Sequence, residues 1–529
     1  MRKFVFSFMV LAVLALSPAA AFAQKAVSED GAAELRRVID ETIKFERDVA
    51  AQSGEGLKMG DPQVSIKGSY YEVRLPDVSY VYPGMGTVDI GTVVLNVTHG
   101  QRVDEYLASM ALQPTLHFNA ADGEKLSLHI GKQKFAMAWQ ATLQYPTRVD
   151  AEYGDLKVSI EKDNDFGATL ENLRLIVNMQ PNEDGTWSGP IETELRNMRM
   201  TLGKTDFAAG GKVRLSRFYN KTDYDSFDLG MILQSRKNMQ DLVKSADGKP
   251  VEDVEKVLEV MIGDGTTVFA GAKTEFAVEN LSIDVAPLPA PEGQTPEEPR
   301  ALRMAALTSM VEIKGLKSEK GSLTAQVALK DFSGSNVVAP ESAGYLPQNA
   351  SIELYMDDMP MSSLYKTFAG LLVQGTRAAR MAEDAELRGQ PSNLKRHTES
   401  QVMAAAMVLP QMLTAAGSSV SVRNTFMRSQ DLSTKLFGSF KATPGAAKLA
   451  VGEMTLTIQG LDELLKKLEG GNTRQSRRAL QGLSFLQVLG QQDTEDGKPI
   501  RRYAFAVTAD GRMTLNGSEI GGLMGGLPQ

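Results

Sequence analysis

From about residue 64 to residue 233, apolar residues recur at every second position. Val64 and Ile66, Val73 and Leu75, Val88 and Ile90, Val93, Leu95 and Val97, Leu126, Leu128 and Ile130, and Val158 and Ile160 follow this spacing. A period of two puts all of these side chains on one face of an extended chain, so each run reads as a strand with one buried face. Asp-Gly pairs punctuate the pattern at Asp122-Gly123, Asp184-Gly185, Asp264-Gly265, Asp496-Gly497 and Asp510-Gly511. Asp-Gly readily supplies the positive φ angles of tight hairpins. Successive hairpins imply antiparallel meanders.

One phrase recurs, an alternating strand closed by a polar and then an apolar residue. It appears as VRLPDVSYV, ATLENLRLIV, TELRNMRMTL and FAVENLSIDV, and later as MVEIKGLKS, AQVALKDFSGS, IELYMDDMPMSSL and MTLTIQGLDELL. The polar residue is Asp, Asn or Gly in most copies, types that leave a strand at a turn or bulge. This is the pattern of a degenerate internal duplication.

Five prolines between Ala286 and Arg300 mark residues 287–299 as an extended linker or loop. It separates residues 24–286 from 300–529. The first half opens with a helix carrying Leu35, Val38, Ile39, Ile43 and Val49, with Asp30 placed to cap it, and ending before Ser53-Gly54. The second half adds a helical hairpin over about 361–417. Gly389-Gln390-Pro391 breaks it, and Pro410 is expected to kink the second arm. The expected class is α+β and β-rich, two halves of twisted antiparallel meander sheets with helices packed on them.

The opening MRKFVFSFMVLAVLALSPAAAFAQ has the basic start, short apolar run and Ala-Phe-Ala site of a secretory signal peptide spanning residues 1–23, with cleavage expected after Ala23. The expected location is the bacterial periplasm. No later apolar run is long enough for a transmembrane span. The chain has no cysteine, which excludes a lipid-bearing cysteine, disulfides and thiolate chemistry. Losing Arg2 and Lys3 with the signal moves the net charge from −8 to −10, which argues against a nucleic-acid partner.

Catalytic and cofactor motifs are missing: there is no G-x-S-x-G elbow, Walker loop or H-E-x-x-H, and GMGTVDIG lacks the third glycine of a dinucleotide loop. No enzyme activity, cofactor or metal is expected. Ser159 to Lys162 and Ser363 to Lys366 match Ser-x-x-Lys without its accompanying signatures. His117 and His129 flank the Asp122 turn, and one hairpin register would set them opposite each other. Asp357-Asp358 is expected to cap the helix that follows. Arg477-Arg478 and Arg501-Arg502 are basic pairs that solvated surface explains, and that lipid phosphates would also suit.

The apolar candidates lie in QVMAAAMVLPQMLTAAG, where Met403, Met407, Leu409, Met412 and Leu413 cluster in a chain of 25 methionines. Methionine is flexible and is over-used at promiscuous apolar surfaces. These residues either pack a helix on a sheet or line a site for a lipid or partner.

GEMTLTIQGLDELLKKL, followed by YAFAVTADGRMTLNGSEIGGLMGGLP, resembles the close of uncharacterised bacterial periplasmic families of unknown function. Its strand-plus-Gly-Leu phrases are similar in style to YdgA-like and AsmA-like envelope proteins. The resemblance implies a β-rich periplasmic protein concerned with envelope maintenance or lipid handling, and it supplies no catalytic residues. Binding of a lipid or other apolar ligand between sheet and helices is the leading expectation. A protein-interaction scaffold for envelope assembly and a hydrolase with an unrecognised site are the alternatives.

Overall fold

The computed structural model describes residues 26–520 apart from 54–55, 103, 162, 205–207, 246–266, 291–297, 339, 388–407, 447–449 and 470–473. The described chain is a β-rich α+β protein in antiparallel pairing. It divides into two compact units, one holding residues up to Ala272 with Val285–Thr295, the other Lys273–Asp284 with Pro296 onward. No helix among the described residues is long and apolar enough to cross a membrane.

The first unit opens with α1 (Glu29–Ser53). Its start is capped by Ser28 rather than Asp30: the Ser28 hydroxyl accepts the Gly31 N–H at 3.1 Å. Asp30 already lies in the first turn, where its charge suits the helix dipole. Thirteen strands follow: β1 (Gly56–Lys58), β2 (Gln63–Lys67), β3 (Tyr70–Tyr82), β4 (Gly86–His99), β5 (Glu105–Ala111), β6 (Thr115–Ala120), β7 (Lys125–His129), β8 (Lys132–Gln140), β9 (Tyr145–Ile160), β10 (Asp163–Asn178), β11 (Gln180–Pro181), β12 (Trp187–Leu202) and β13 (Gly210–Phe227). Helix α2 (Leu229–Ser245) closes the series and packs against α1.

Two routes connect β4 to β9. One half of β4 pairs with β5, which continues through β8; the other half pairs with β6, which continues through β7. Gln133 ties the routes together, its amide accepting the Leu112 N–H and donating to the Leu112 carbonyl, both at 2.8 Å. Beyond β9 the sheet is a plain meander, β9 to β10 to β12 to β13. Its core buries Tyr71, Val73, Leu95, Ala151, Tyr153 and Leu175 beneath Ala32 and Leu35 of α1.

Seven of the eight copies of the recurring phrase share one physical basis; Asn172 of ATLENLRLIV is not among the residues with positive φ. Asp77, Asn197, Asn280, Gly315, Asp331, Asp358 and Gly460, each the polar residue of one copy, all take positive φ. Asp, Asn and Gly tolerate that region best. At Asp77, Asn197 and Asn280 the strand continues instead of ending, and its alternation changes phase. In β3 the buried set is Tyr71, Val73 and Leu75 before Asp77, then Val78 and Tyr82 after it. Gly91 in β4 and Asp155 in β9 act alike: Val149, Ala151 and Tyr153 give way to Leu156. One left-handed residue absorbs the odd step, so the apolar face stays on the same side.

Strands β9 and β12 carry such a left-handed residue, Asp155 and Asn197, at one level, with Glu171 of β10 between them. Gly154 pairs with Asn172 and Leu156 with Leu170, while Asn172 pairs with Arg196 and Leu170 with Met198. Asp155, Glu171 and Asn197 therefore form a row, and the ladder resumes beyond it without slipping. The Asn197 amide donates to the Glu171 carboxylate at 2.7 Å along that row.

Strand β14 (Gly271–Ala286) crosses the division between the units. The second unit continues with β15 (Arg300–Lys314), β16 (Gly321–Lys330), β17 (Ser333–Ser335) and β18 (Asn349–Met359). Helix α3 (Met361–Leu387) covers nearly all of the expected first hairpin arm. Of the second arm, residues 408–416 are described as α4; the breaker at 389–391 lies outside the described residues. Then come β19 (Ser419–Arg428), β20 (Ser433–Ala442), β21 (Ala450–Gln459), α5 (Leu461–Glu469), α6 (Arg474–Leu489), β22 (Gln491–Glu495), β23 (Lys498–Val507), β24 (Met513–Leu515) and β25 (Ser518–Glu519).

Four of the five Asp-Gly pairs form hairpin turns, with Gly123, Gly185, Gly497 and Gly511 all at positive φ. Asp264-Gly265 lies outside the described residues. At Asp496-Gly497 both residues have positive φ between the paired Glu495 and Lys498, the two-residue turn that matches strand twist.

Tyr153 carries an anomaly into the first core. Its ring is buried against Phe135, and its hydroxyl has no hydrogen-bond partner among the described residues. Burial pushes its proton loss well above the ordinary tyrosine range. A buried hydroxyl without a partner costs about 1–3 kcal/mol. Tyr153→Phe is therefore expected to leave the thermal midpoint unchanged or raise it. A fall in the midpoint would mean that the hydroxyl is satisfied in solution.

Candidate functional site

In the second unit, register fixes which side chains share a face, because directly paired antiparallel residues point the same way. Leu323, Ala325, Val327 and Leu329 of β16 pair with Met356, Leu354, Ile352 and Ala350 of β18. Across the other edge of β16 they meet Ile313, Val311, Ser309 and Leu307 of β15. Leu354 and Met356 continue to Val422 and Val420 of β19, and Val420 to Phe440 of β20. The row then runs through Leu456 of β21 to Tyr503 of β23, with Phe505 paired to Leu515 of β24. The result is one apolar face spanning the sheet.

That face is unevenly covered. At one end α5 and α6 pack on it, burying Ile458, Leu461, Leu465 and Tyr503 with Leu456, Leu483 and Leu486 around them. Toward β16 and β18 the cover fails: Val327 is 41% exposed and its cross-strand partner Ile352 is 57% exposed. Leu323, Leu329, Leu354 and Met356 around them are only half-buried. The corresponding face of the first unit is the dense core beneath α1.

The opposite face of the same strands is polar and internally bonded. Gln326 donates to the Tyr355 hydroxyl at 3.0 Å, Tyr355 donates to Glu353 at 3.2 Å, Asn424 donates to Glu353 at 3.0 Å, and the Arg423 guanidinium lies over the Tyr355 ring. The contrast marks the half-covered face as the unusual surface of this unit, since large contiguous apolar patches are uncommon on monomeric proteins.

Of the apolar residues expected from sequence, Met403 and Met407 lie outside the described residues. Leu409, Met412 and Leu413 are half-buried in α4. The Met412 sulfur approaches the Thr367 hydroxyl of α3 at 4.0 Å, so the two helices touch. Around that contact α3 exposes Phe368 and Leu372, one turn apart, and α4 exposes Val408. Pro410 lies within α4, and its carbonyl accepts the Thr414 hydroxyl.

The polar candidates disperse. His117 pairs with Ser127 and His129 with Thr115, so the histidines are not opposite each other; both are exposed, and His117 bonds Ser127 at 3.2 Å. The Ser363 hydroxyl donates to Glu319 at 2.9 Å, and Lys162 lies outside the described residues. Asp358 ends β18 in a left-handed conformation, with its carboxylate toward Lys320 at 3.6 Å and its carbonyl accepting the Ser418 hydroxyl. The N–H of Ser362 at the start of α3 goes instead to the Ser318 carbonyl. Arg501 is largely buried against Asp462, and Arg502 pairs with Asp493.

A polar hollow of about 390 Å³ lies on the first unit, lined by Lys132, Lys134, Glu152, Asp155, Glu171 and Asn172. Its groups bind one another or close neighbours: Lys132 with Asp155, Lys134 with Asp150, Asn172 with Glu152. Neither His117 nor His129 reaches it. No family model, curated protein or solved structure matches the chain.

Proposed function

We propose that this protein is an exported, non-enzymatic envelope protein that binds the apolar chain of a lipid on the half-covered sheet face of its second unit, with α3 and α4 supplying a second wall. The observation that supports the reading most is the pair Val327 and Ile352, exposed on a face that is otherwise mainly Leu, Val, Ile, Met, Ala and Phe, with Ser309 beside Val327. The half-covered part of the face, from β15 to β20, crosses five strands, or about 19 Å at the usual strand spacing. That suits a long unbranched chain better than a compact ring. Such a ligand gains from burying apolar area and needs no hydrogen bond along its length.

Native mass spectrometry with solvent extraction of the purified chain tests this. The expected result is a co-purifying acyl-chain lipid removed by extraction. An unliganded mass, together with no binding of a fluorescent fatty acid, would end the proposal.

A further inference from the structure

The start of α1 is held to the first sheet by two hydrogen bonds in series. The Ser28 N–H donates to the Tyr71 hydroxyl of β3 at 3.1 Å, and that hydroxyl lies 3.1 Å from Nε2 of His99 on β4. Tyr71 is fully buried and His99 is 9% exposed. Gly31 lies directly over the hydroxyl, where a β-carbon would collide with it, so the first turn of α1 fits closely against Tyr71.

These bonds fix where the protons are. The Tyr71 oxygen receives the Ser28 N–H, so its own proton goes to His99 Nε2, its other partner among the described residues. Nε2 is therefore an acceptor, and the imidazole is neutral with its proton on Nδ1. A second proton would turn Nε2 into a donor. The buried hydroxyl would then receive two N–H groups while its own proton had no acceptor. The added positive charge would also sit beneath the N-terminus of α1, the positive end of the helix dipole.

The groups around His99 do not cancel that charge. Glu29, Asp30, Glu34 and Arg37 of α1, and Asp104 before β5, are exposed to water, which screens them. Glu105 of β5 is buried but already held by Arg148 and by the Gln101 N–H, both at 3.0 Å. The Tyr106 ring lies 5.3 Å from the imidazole, and burial pushes its proton loss up to about 12, so it stays neutral.

We propose that His99 is a pH switch on α1. The neutral imidazole docks the helix start through Tyr71; the imidazolium releases it and bares the core face beneath Ala32 and Leu35. The released state takes up a proton that the docked state refuses. Docking is therefore complete above the ordinary imidazole value of about 6.5 and weakens by up to about tenfold for each pH unit below it. The switch is independent of any ligand on the second unit.

The chain has no cysteine, so A33C/K157C places spin labels at exposed positions of α1 and β9 alone. Double electron–electron resonance is expected to give one narrow distance at about pH 7.5, a broad distribution at about pH 5, and recovery on return. H99Q, added to that pair, offers an amide oxygen that accepts the Tyr71 proton and does not titrate; it should stay narrow at both. A distance that stays narrow in acid without H99Q, or broadening on acidification that persists with it, would overturn the proposal. NMR titration of the His99 imidazole in the wild-type chain decides independently of how H99Q folds. Its midpoint must coincide with that of the distance change, and a mismatch would equally overturn the switch.

Discussion

Gly460→Val is expected to destabilise the second unit by about 3 kcal/mol or more. Gly460 has φ +84, where a β-branched residue is a genuine outlier, and any β-carbon there would collide with the Asp431 carbonyl oxygen. The same residue turns the chain from β21 into α5, its carbonyl accepting the Leu464 N–H at 3.1 Å. Strain at this point propagates to Leu461 and Leu465, which are 2% and 3% exposed and anchor the second core. Urea unfolding should show the transition that includes this unit displaced to lower denaturant. Asp77→Gly should be nearly neutral, because Asp77 sits at φ +53 and glycine reaches that region freely, whereas Asp77→Val should cost stability. Equal effects of glycine and valine at position 77 would show that the left-handed backbone is not what the phrase encodes.

The second large effect concerns binding. V327K/I352E replaces the exposed cross-strand pair with opposite charges. Because the two residues face each other directly, the new charges can pair, so stability should change little. Covering those charges with an acyl chain would strip their hydration at a cost of more than about 1.4 kcal/mol, a factor of ten or more in affinity. Fluorescent fatty acid titration should show that loss with an unaltered unfolding curve. Unchanged affinity would place the ligand elsewhere.

Much of the fold is readable in the residues. Alternation at Val73 and Leu75, or at Leu126 and Leu128, reports a half-buried strand wherever it occurs, and Asp-Gly at 122, 184, 496 and 510 reports its own turn geometry. The repeated phrase was also visible, and its Asp, Asn or Gly marks a left-handed backbone position in seven of the eight copies, Asn172 being the exception. Less visible was that β3, β12 and β14 run straight through that point, because the compensating phase shift is recognised only when the apolar sets on both sides of Asp77 or Asn197 are compared. Ser28 capped α1 in place of Asp30 for a similar reason: both residue types suit the role, and the choice depends on where the first turn begins. Pairing of His117 with Ser127 depended on the loop around Asp122, which pattern alone does not specify.

The half-covered face was harder to see. Val327 and Ile352 have the same spacing as buried strand residues, and only the extent of the helices above them sets their exposure. Sequence pointed instead to methionines in the helical hairpin. Met412 is found at the contact between α3 and α4, and the apolar residues most exposed on those helices are Phe368 and Leu372. Phe485 and Val488 face outward on α6, but its inward leucines dominate the helical pattern and conceal them.

Photo-crosslinking with a diazirine-bearing fatty acid, followed by peptide mapping, tests the binding face most directly. The account predicts adducts within residues 323–329, 350–356 and 420–427, lost in V327K/I352E. Adducts confined to other segments, or none above the level of the denatured chain, would contradict it.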